Sequence, residues 1–170
     1  MSPDSSQSSV QGRPRRPRFI GESGHTLDGK FRVFVPKRFQ KQLSRNEEGQ
    51  LCCVLAQGMD DCVYLFDEDG FEQAIDQLDT ELFTGGRERN TQRAFFSNMA
   101  EVGLDASGRI LIPENLRGLF GDQREVQMVG VLRRAEIWPA AAWQKLKEDS
   151  REDLAKIDEI LVQKKDGGAQ

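Results

Sequence analysis

The sequence has little of what most enzymes and metalloproteins work with: 170 residues hold one histidine, one tyrosine and three cysteines. No Ser/His/Asp or Cys/His combination stands in a catalytic context. The Gly85-Gly86 pair lacks the flanking lysine of a phosphate loop. His25, Cys52, Cys53 and Cys62 would make four zinc ligands by number. There is no C-x-x-C, however, and adjacent cysteines on a strand point to opposite faces, so one of Cys52 and Cys53 drops out. The cysteines read as small buried hydrophobes, and His25 as a residue that caps or orients the turn that follows it. Three cysteines are too few for a disulfide scaffold. No apolar run approaches the roughly 18 residues that would cross a bilayer, and the first 18 residues contain no apolar stretch of the kind a secretory leader needs. Reduced thiols and a cytoplasmic location are expected, with no cofactor, no metal and no enzymatic activity.

What is present is a core and a strongly divided charge. Hydrophobic residues make up 37% of the chain and include ten phenylalanines, enough for a buried interior. The net charge of −4 averages over a polarised molecule. Residues 1–45 carry ten Lys/Arg against three acids, whereas residues 46–90 carry two against twelve. Local field rather than net charge decides whether phosphate is attracted, and the basic end is the candidate contact surface. Residues 1–18 are rich in Ser, Gln, Pro and Arg and cannot bury enough surface to offset the entropy of ordering, so they read as a disordered basic arm. Residues 163–170 read as a flexible tail.

Between arm and tail the sequence repeats itself. Leu27-Asp28-Gly29-Lys30-Phe31-Arg32-Val33-Phe34-Val35-Pro36 aligns with Leu104-Asp105-Ala106-Ser107-Gly108-Arg109-Ile110-Leu111-Ile112-Pro113 at a constant offset of 77. Phe39 and Leu43 after the first proline match Leu116 and Phe120 after the second. Further on, Val63–Phe66 with Phe71 matches Ala135–Trp138 with Trp143 at an offset of 72. The repeats are expected to span 19–85 and 86–162. Each begins with a turn dipeptide, Asp28-Gly29 or Ser107-Gly108. A strand follows, Phe31–Val35 or Arg109–Ile112, and then a short helix opened by Pro36 or Pro113. Leu51–Leu55, Val63–Phe66, Val126–Leu132 and Glu136–Trp138 read as further strands. Helical spacing marks Phe71, Ile75, Leu78 and Leu82, then residues 88–100, then about 141–163. Asp67 or Asp69 suits the cap of the Phe71 helix.

Asp and Arg four apart across a turn place a carboxylate within reach of a guanidinium. The pair either locks the turn as a surface ion pair or orients the arginine so that its remaining donors face a partner. Asp-x-x-x-Arg followed by three apolar residues and Pro, twice in one chain, resembles the MraZ family of bacterial transcriptional regulators. Gly21-Glu22, His25–Asp28, Arg93–Phe96, Ala100-Glu101 and Glu136–Trp138 with Trp143 extend the likeness over residues 19–162.

The resemblance implies an α+β fold with a β-rich core, two tandem AbrB/MraZ-like repeats forming a pseudo-dimeric swapped-hairpin β-barrel with peripheral helices. It also implies a ring homo-oligomer that binds double-stranded DNA at tandem short boxes in its own promoter, upstream of the division and cell-wall gene cluster, and so a nucleoid-associated protein. Carried onto this chain, it makes Arg32 the main DNA contact, Lys30 a phosphate contact, Asp28 the orienting acid, and Arg109 with Asp105 their counterparts in the second copy. The family usually has Gly before the motif Arg, as at Gly108; the first copy has Phe31. Gly29 is then expected to take over the tight turn, with Phe31 either packed inward or wedged between bases.

Lys37, Arg38 and Lys41 on the first short helix extend the basic group around Lys30 and Arg32. In the arm, Arg13, Arg15, Arg16 and Arg18 interleaved with prolines either enter a minor groove in extended form or add affinity without reading sequence. The Trp143-to-Leu161 stripe and the acidic middle are candidate subunit contacts. The competing reading is a ring-forming interaction or scaffold protein of the same fold without specific DNA recognition.

Overall fold

The computed structural model describes residues 18–77 and 86–157. Arg13, Arg15, Arg16, Leu78, Leu82, Leu161 and the tail lie outside the described residues. The elements in chain order are β1 (Phe19–Thr26), β2 (Arg32–Phe34), α1 (Lys37–Gln40), β3 (Cys52–Gln57), β4 (Val63–Phe66), α2 (Glu68–Gln77) and α3 (Gly86–Ser97). Then come β5 (Ala100–Gly103), β6 (Arg109–Leu111), α4 (Glu114–Arg117), β7 (Glu125–Leu132), β8 (Ala135–Pro139), α5 (Ala140–Asp149) and α6 (Arg151–Ala155). Six strands form one sheet in the order β1-β7-β8-β4-β3-β5, and β2 and β6 form a separate two-stranded ribbon.

The pairing joins the repeats rather than separating them. In the ribbon Val33 lies opposite Ile110, its own counterpart at the offset of 77. In the large sheet Tyr64 lies opposite Glu136, its counterpart at the offset of 72. An antiparallel register that sets equivalent positions face to face relates the two copies by a two-fold rotation. Outward from that centre, β1 of the first copy pairs with β7 of the second, and β5 of the second pairs with β3 of the first. At the centre of the sheet, Arg134 stacks on the Tyr64 ring, 4.2 Å from its centroid. It also donates through Nε and a terminal nitrogen to buried Glu136, which accepts from the Trp138 indole as well.

The β-rich α+β architecture is as the resemblance implies, but the sheet is not a closed barrel. Its outer strands β1 and β5 do not pair with each other. The strands that follow each Asp-x-x-x-Arg turn are only three residues long, end near Pro36 and Pro113, and are used up in pairing with each other. They cover the sheet instead of closing it.

One face of the sheet, with the ribbon and the short helices, encloses the main core. Val33, Val35, Phe39, Ile110, Ile112, Leu116 and Phe120 are all buried there, so each copy contributes the same positions. The other face carries Tyr64, Phe66, Val129 and Trp138 under Phe71, Phe95 and Trp143 of the longer helices.

Strands β1 and β5 are the elements that local sequence does not announce. Gly21, Glu22, Ser23, Gly24 and His25 are poor strand formers, and β1 exists because it pairs along its whole length with β7. Gly21 faces Gly130 across that pair, and a Cβ at Gly130 would run into the backbone of Phe19 and Ile20. The single helix expected over 141–163 is divided at Ser150 into α5 and α6. Leu154 and Ile157 beyond the break are exposed, so no packing enforces continuity across it. Within the stripe, Trp143 packs against Trp138 at 5.8 Å and donates its indole N–H to Glu22, while Leu146 is exposed. Among the described residues no helix is long and apolar enough to cross a membrane.

Asp67 is the cap of α2. It is 2% exposed, and its carboxylate accepts from Gly70 N–H at 2.9 Å. Burial, opposed by that hydrogen bond, raises its pKa to about 6. A folded-state pKa above the unfolded value gives stability that is present below about pH 4 and is lost as pH rises through about 6. Asp67→Asn keeps an acceptor for the cap and removes the buried charge. We expect it to raise stability at pH 7 by up to about 2 kcal/mol and to abolish this part of the pH dependence. Urea midpoints at pH 4 and pH 7 measure both effects.

Candidate nucleic-acid interface

The two Asp-x-x-x-Arg turns have the same internal construction. Asp28 Oδ1 accepts from the backbone N–H of Lys30 and of Arg32, both at 2.9 Å, while Oδ2 accepts from Arg32 Nε at 2.7 Å. Asp105 takes Ser107 N–H, Arg109 N–H and Arg109 Nε in the same way, each at 2.9 Å. A main-chain pair closes each loop: Asp28 N–H donates to Arg32 and Phe31 N–H to Asp28, matched by Asp105 to Arg109 and Gly108 to Asp105. The Arg32 backbone N–H, with further help from the Arg32 side chain and Lys30 N–H, holds the Asp28 carboxyl down at about 2. Asp105 is lowered for the same reasons, led by Arg109 N–H. The carboxylates therefore serve both readings at once. They lock the turns and orient the arginines: Asp28 engages Arg32 through Nε alone, whereas Asp105 engages Arg109 through Nε and, at 2.8 Å, one terminal nitrogen, and both arginine side chains remain about one-third exposed.

Cross-repeat pairing brings the turns together. In the ribbon, Arg32 lies opposite Leu111 and Phe34 opposite Arg109. Val35 N–H donates to Gly108 O, and reciprocally Ile112 N–H donates to Phe31 O. Asp28 is thereby shared, with Arg32 at 2.7 Å and an Arg109 terminal nitrogen at 3.7 Å. Two arginines separated by 77 residues converge on one carboxylate.

The residue before the motif Arg is left-handed in both copies, Gly108 at φ 76° and Phe31 at φ 59°. Gly29 does not take over the turn; it is not among the residues of positive φ. A left-handed phenylalanine costs about 1–3 kcal/mol, so its surroundings must hold it there. Phe31 is half-buried against the main core, with guanidinium groups of Arg117 and Arg124 at 4.9 and 4.3 Å from its ring centroid. That is inward packing, with the ring engaged rather than free to wedge between bases. At Gly108 the corresponding space is taken by the Gln40 side chain.

The basic residues of α1 do not all gather at the first turn. Lys37 lines a groove of about 430 Å³ with Gln40, Arg45, Asp105 and Gly108, which places it beside the second turn. Lys41 continues this basic lining into an adjoining groove. Arg38 turns the other way, lying over Phe39 and against Gly21 of β1. Lys30 stays exposed at the first turn, and Arg18 is exposed at the start of β1. His25 does not cap the turn: its Nε2 pairs with the Ser23 hydroxyl and its ring lies against Phe34. Burial, with Arg38 nearby, lowers its pKa. Cys52, Cys53 and Cys62 are buried free thiols, raised by burial above the usual thiol range. Among the described residues no group of His, Cys, Asp and Glu is placed to hold a metal ion.

Sequence reasoning missed Gln40, Arg117 and Arg124. The signal for two of them was available, since Gln40 and Arg117 are counterparts at the offset of 77. Gln40 donates to Val35 O and Arg117 to Ile112 O, which is the same contact made twice.

With Asp28 held at about 2, its stabilising contribution is present above about pH 4 and is lost as pH falls through about 2. Asp28→Asn should lower the urea midpoint at pH 6 and flatten the loss of stability between pH 4.5 and 2.5 relative to the parent chain. An unchanged acid limb would show that Asp28 carries no net charge interaction.

A model of the family described as "MraZ protein, putative antitoxin-like" matches the chain twice, over residues 19–94 and 95–165. A curated relative, Transcriptional regulator MraZ of Syntrophomonas wolfei subsp. wolfei (strain DSM 2245B / Goettingen), is 34% identical over 144 residues, which cover 85% of this chain and 96% of the relative.

Proposed function

The chain belongs to the MraZ family, and from that premise we propose that it is a DNA-binding transcriptional regulator rather than an enzyme. The observation that carries the reading is the shared carboxylate. Asp28 engages Arg32 and Arg109 together, so the two turns offer their remaining guanidinium donors from a single face. Guanidinium forks suit phosphate oxygens and the O6/N7 edge of guanine. Their orientation by Asp28 and Asp105 reduces the entropy lost on contact. Lys30 and Lys37 flank the two turns and supply phosphate contacts, while Arg38 lies toward β1 and acts at the margin. Arg13, Arg15, Arg16 and Arg18 add a sequence-independent grip.

The finer reading follows the same logic. Each protomer offers a small contact, and a ring of copies on tandem short boxes gains through effective concentration. The boxes lie in its own promoter, ahead of the division and cell-wall genes, and the protein works in the cytoplasm on the nucleoid. The reciprocal use of strands between repeats 19–85 and 86–162 supports a swapped-hairpin relation between them. A scaffold of the same fold without DNA recognition is the outcome if duplex binding fails.

Arg32→Ala and Arg109→Ala are each expected to weaken binding to a duplex from the upstream region of this gene by about tenfold or more, since one good bidentate contact gives about 1–3 kcal/mol. Fluorescence anisotropy measures the affinity and light scattering checks that assembly is unchanged. Equal binding by parent and both variants contradicts the proposal. Loss of assembly in the variants assigns the arginines a structural role instead.

A further inference from the structure

We propose that Phe31 is a positioning residue that holds Arg117 and Arg124 beside the first turn as a composite phosphate clamp, making the two halves of the contact face unequal. The proposal rests on the duplex-binding reading and goes beyond it, because Arg117 and Arg124 belong to neither Asp-x-x-x-Arg motif.

Both guanidinium carbons lie within 5 Å of the Phe31 ring centroid, and the face of an aromatic ring attracts cations through its quadrupole. The two like charges are brought together by that ring and not by an acid. Among the described residues neither arginine forms an ion pair, although Asp122 and Glu125 stand close to Arg124 in sequence. Arg117 spends Nε on Ile112 O, which leaves its terminal nitrogens available. Arg124 is anchored through its backbone carbonyl, which accepts from Leu27 N–H immediately before the motif Asp. Contact with one ring keeps the two guanidinium carbons within about 9 Å of each other without a carboxylate between them, and a phosphate that reaches both lowers the cost of holding these like charges together. Phe31 directly precedes Arg32, so this pair extends the motif arginine's charge.

The other half of the face has no such aromatic-seated pair, its extra cations being Lys37 and Arg45 along the groove beside Asp105 and Gly108. Gly108 has no ring, and the counterpart of Arg117 is the neutral Gln40. The strained left-handed backbone at Phe31 is thus retained at the one turn where an aromatic ring has cations to seat. The two turns are therefore expected to grip the duplex backbone through different groups, ring-seated arginines at the first and groove-lining cations at the second, and so to fix the direction in which the pseudo-symmetric protein lies on DNA.

The test uses the full chain and a fluorescein-labelled duplex from its own upstream region, with anisotropy isotherms at several salt concentrations. The variants are Arg124→Gln, whose side chain makes no hydrogen bond among the described residues, Arg117→Gln, Phe31→Leu and Phe31→Tyr, with Arg32→Ala as reference. Each arginine variant should reduce the slope of log K against log salt by about 0.9, the value of one phosphate contact. Phe31→Leu keeps apolar bulk without a π-face and should weaken binding by about fivefold, while Phe31→Tyr restores parental affinity. Urea midpoints identify any variant that is merely unfolded, and Arg124→Gln then decides. If the parent chain binds and Arg32→Ala weakens it, but Arg124→Gln leaves the slope unchanged or Phe31→Leu equals Phe31→Tyr, the clamp is overturned and the regulator reading stands. If the parent chain does not bind duplex, both fall.

Discussion

Val33 opposite Ile110 is the contact on which the rest of this molecule depends. It sets two copies of one sequence unit in antiparallel register at equivalent positions, and everything around it is then made twice. Val35 and Ile112 donate to Gly108 and Phe31; Gln40 and Arg117 donate to Val35 and Ile112. Because strand side chains alternate between faces, a slip of one residue would turn Val33 and Ile110 out of the core and carry both arginines away from each other. Both side chains are fully buried, so the hydrophobic effect enforces the register, and the register places the charged groups.

That arrangement puts polar chemistry where packing has already fixed geometry. The Asp28 and Asp105 carboxylates are each satisfied by two backbone N–H groups before any side chain is counted. The turns are therefore rigid platforms, and the arginines they carry are half-oriented in advance. The cost of exposing two guanidinium groups side by side is offset by sharing Asp28. Near-symmetry also makes the departures from it informative. Phe31 against Gly108 and Arg117 against Gln40 are differences at matched positions, and they fall beside the proposed contact face.

Much of this was legible in the sequence because repetition is a strong signal. The offsets of 77 and 72 identified the turns, the short strands and the core pairs Phe39/Leu116 and Leu43/Phe120, and strand β4 falls on Val63–Phe66 as its residues predict. Strands β1 and β5 were not legible, since Gly21, Gly24 and Gly103 carry no strand preference and pairing with the other copy creates them. The open sheet could not be foreseen either, because nothing local to β1 or β5 says whether sheet edges meet. Within the site, Asp28 with Arg32 and Asp105 with Arg109 were readable as i, i+4 pairs. The sharing of Asp28 with Arg109 was not, as it depends on the ribbon register. That Lys37 shares a groove with Asp105 and Gly108 of the other copy's turn was hidden for the same reason.

The claim that both turns act as one face is tested most directly by following arginine Nε–Hε resonances during titration with a duplex from the gene's own upstream region. The account predicts that the Arg32 and Arg109 signals shift together over the same range of duplex concentration, while those of Arg134 at the sheet centre stay in place. Movement of one motif arginine without the other, or of neither while binding is saturated, would contradict it.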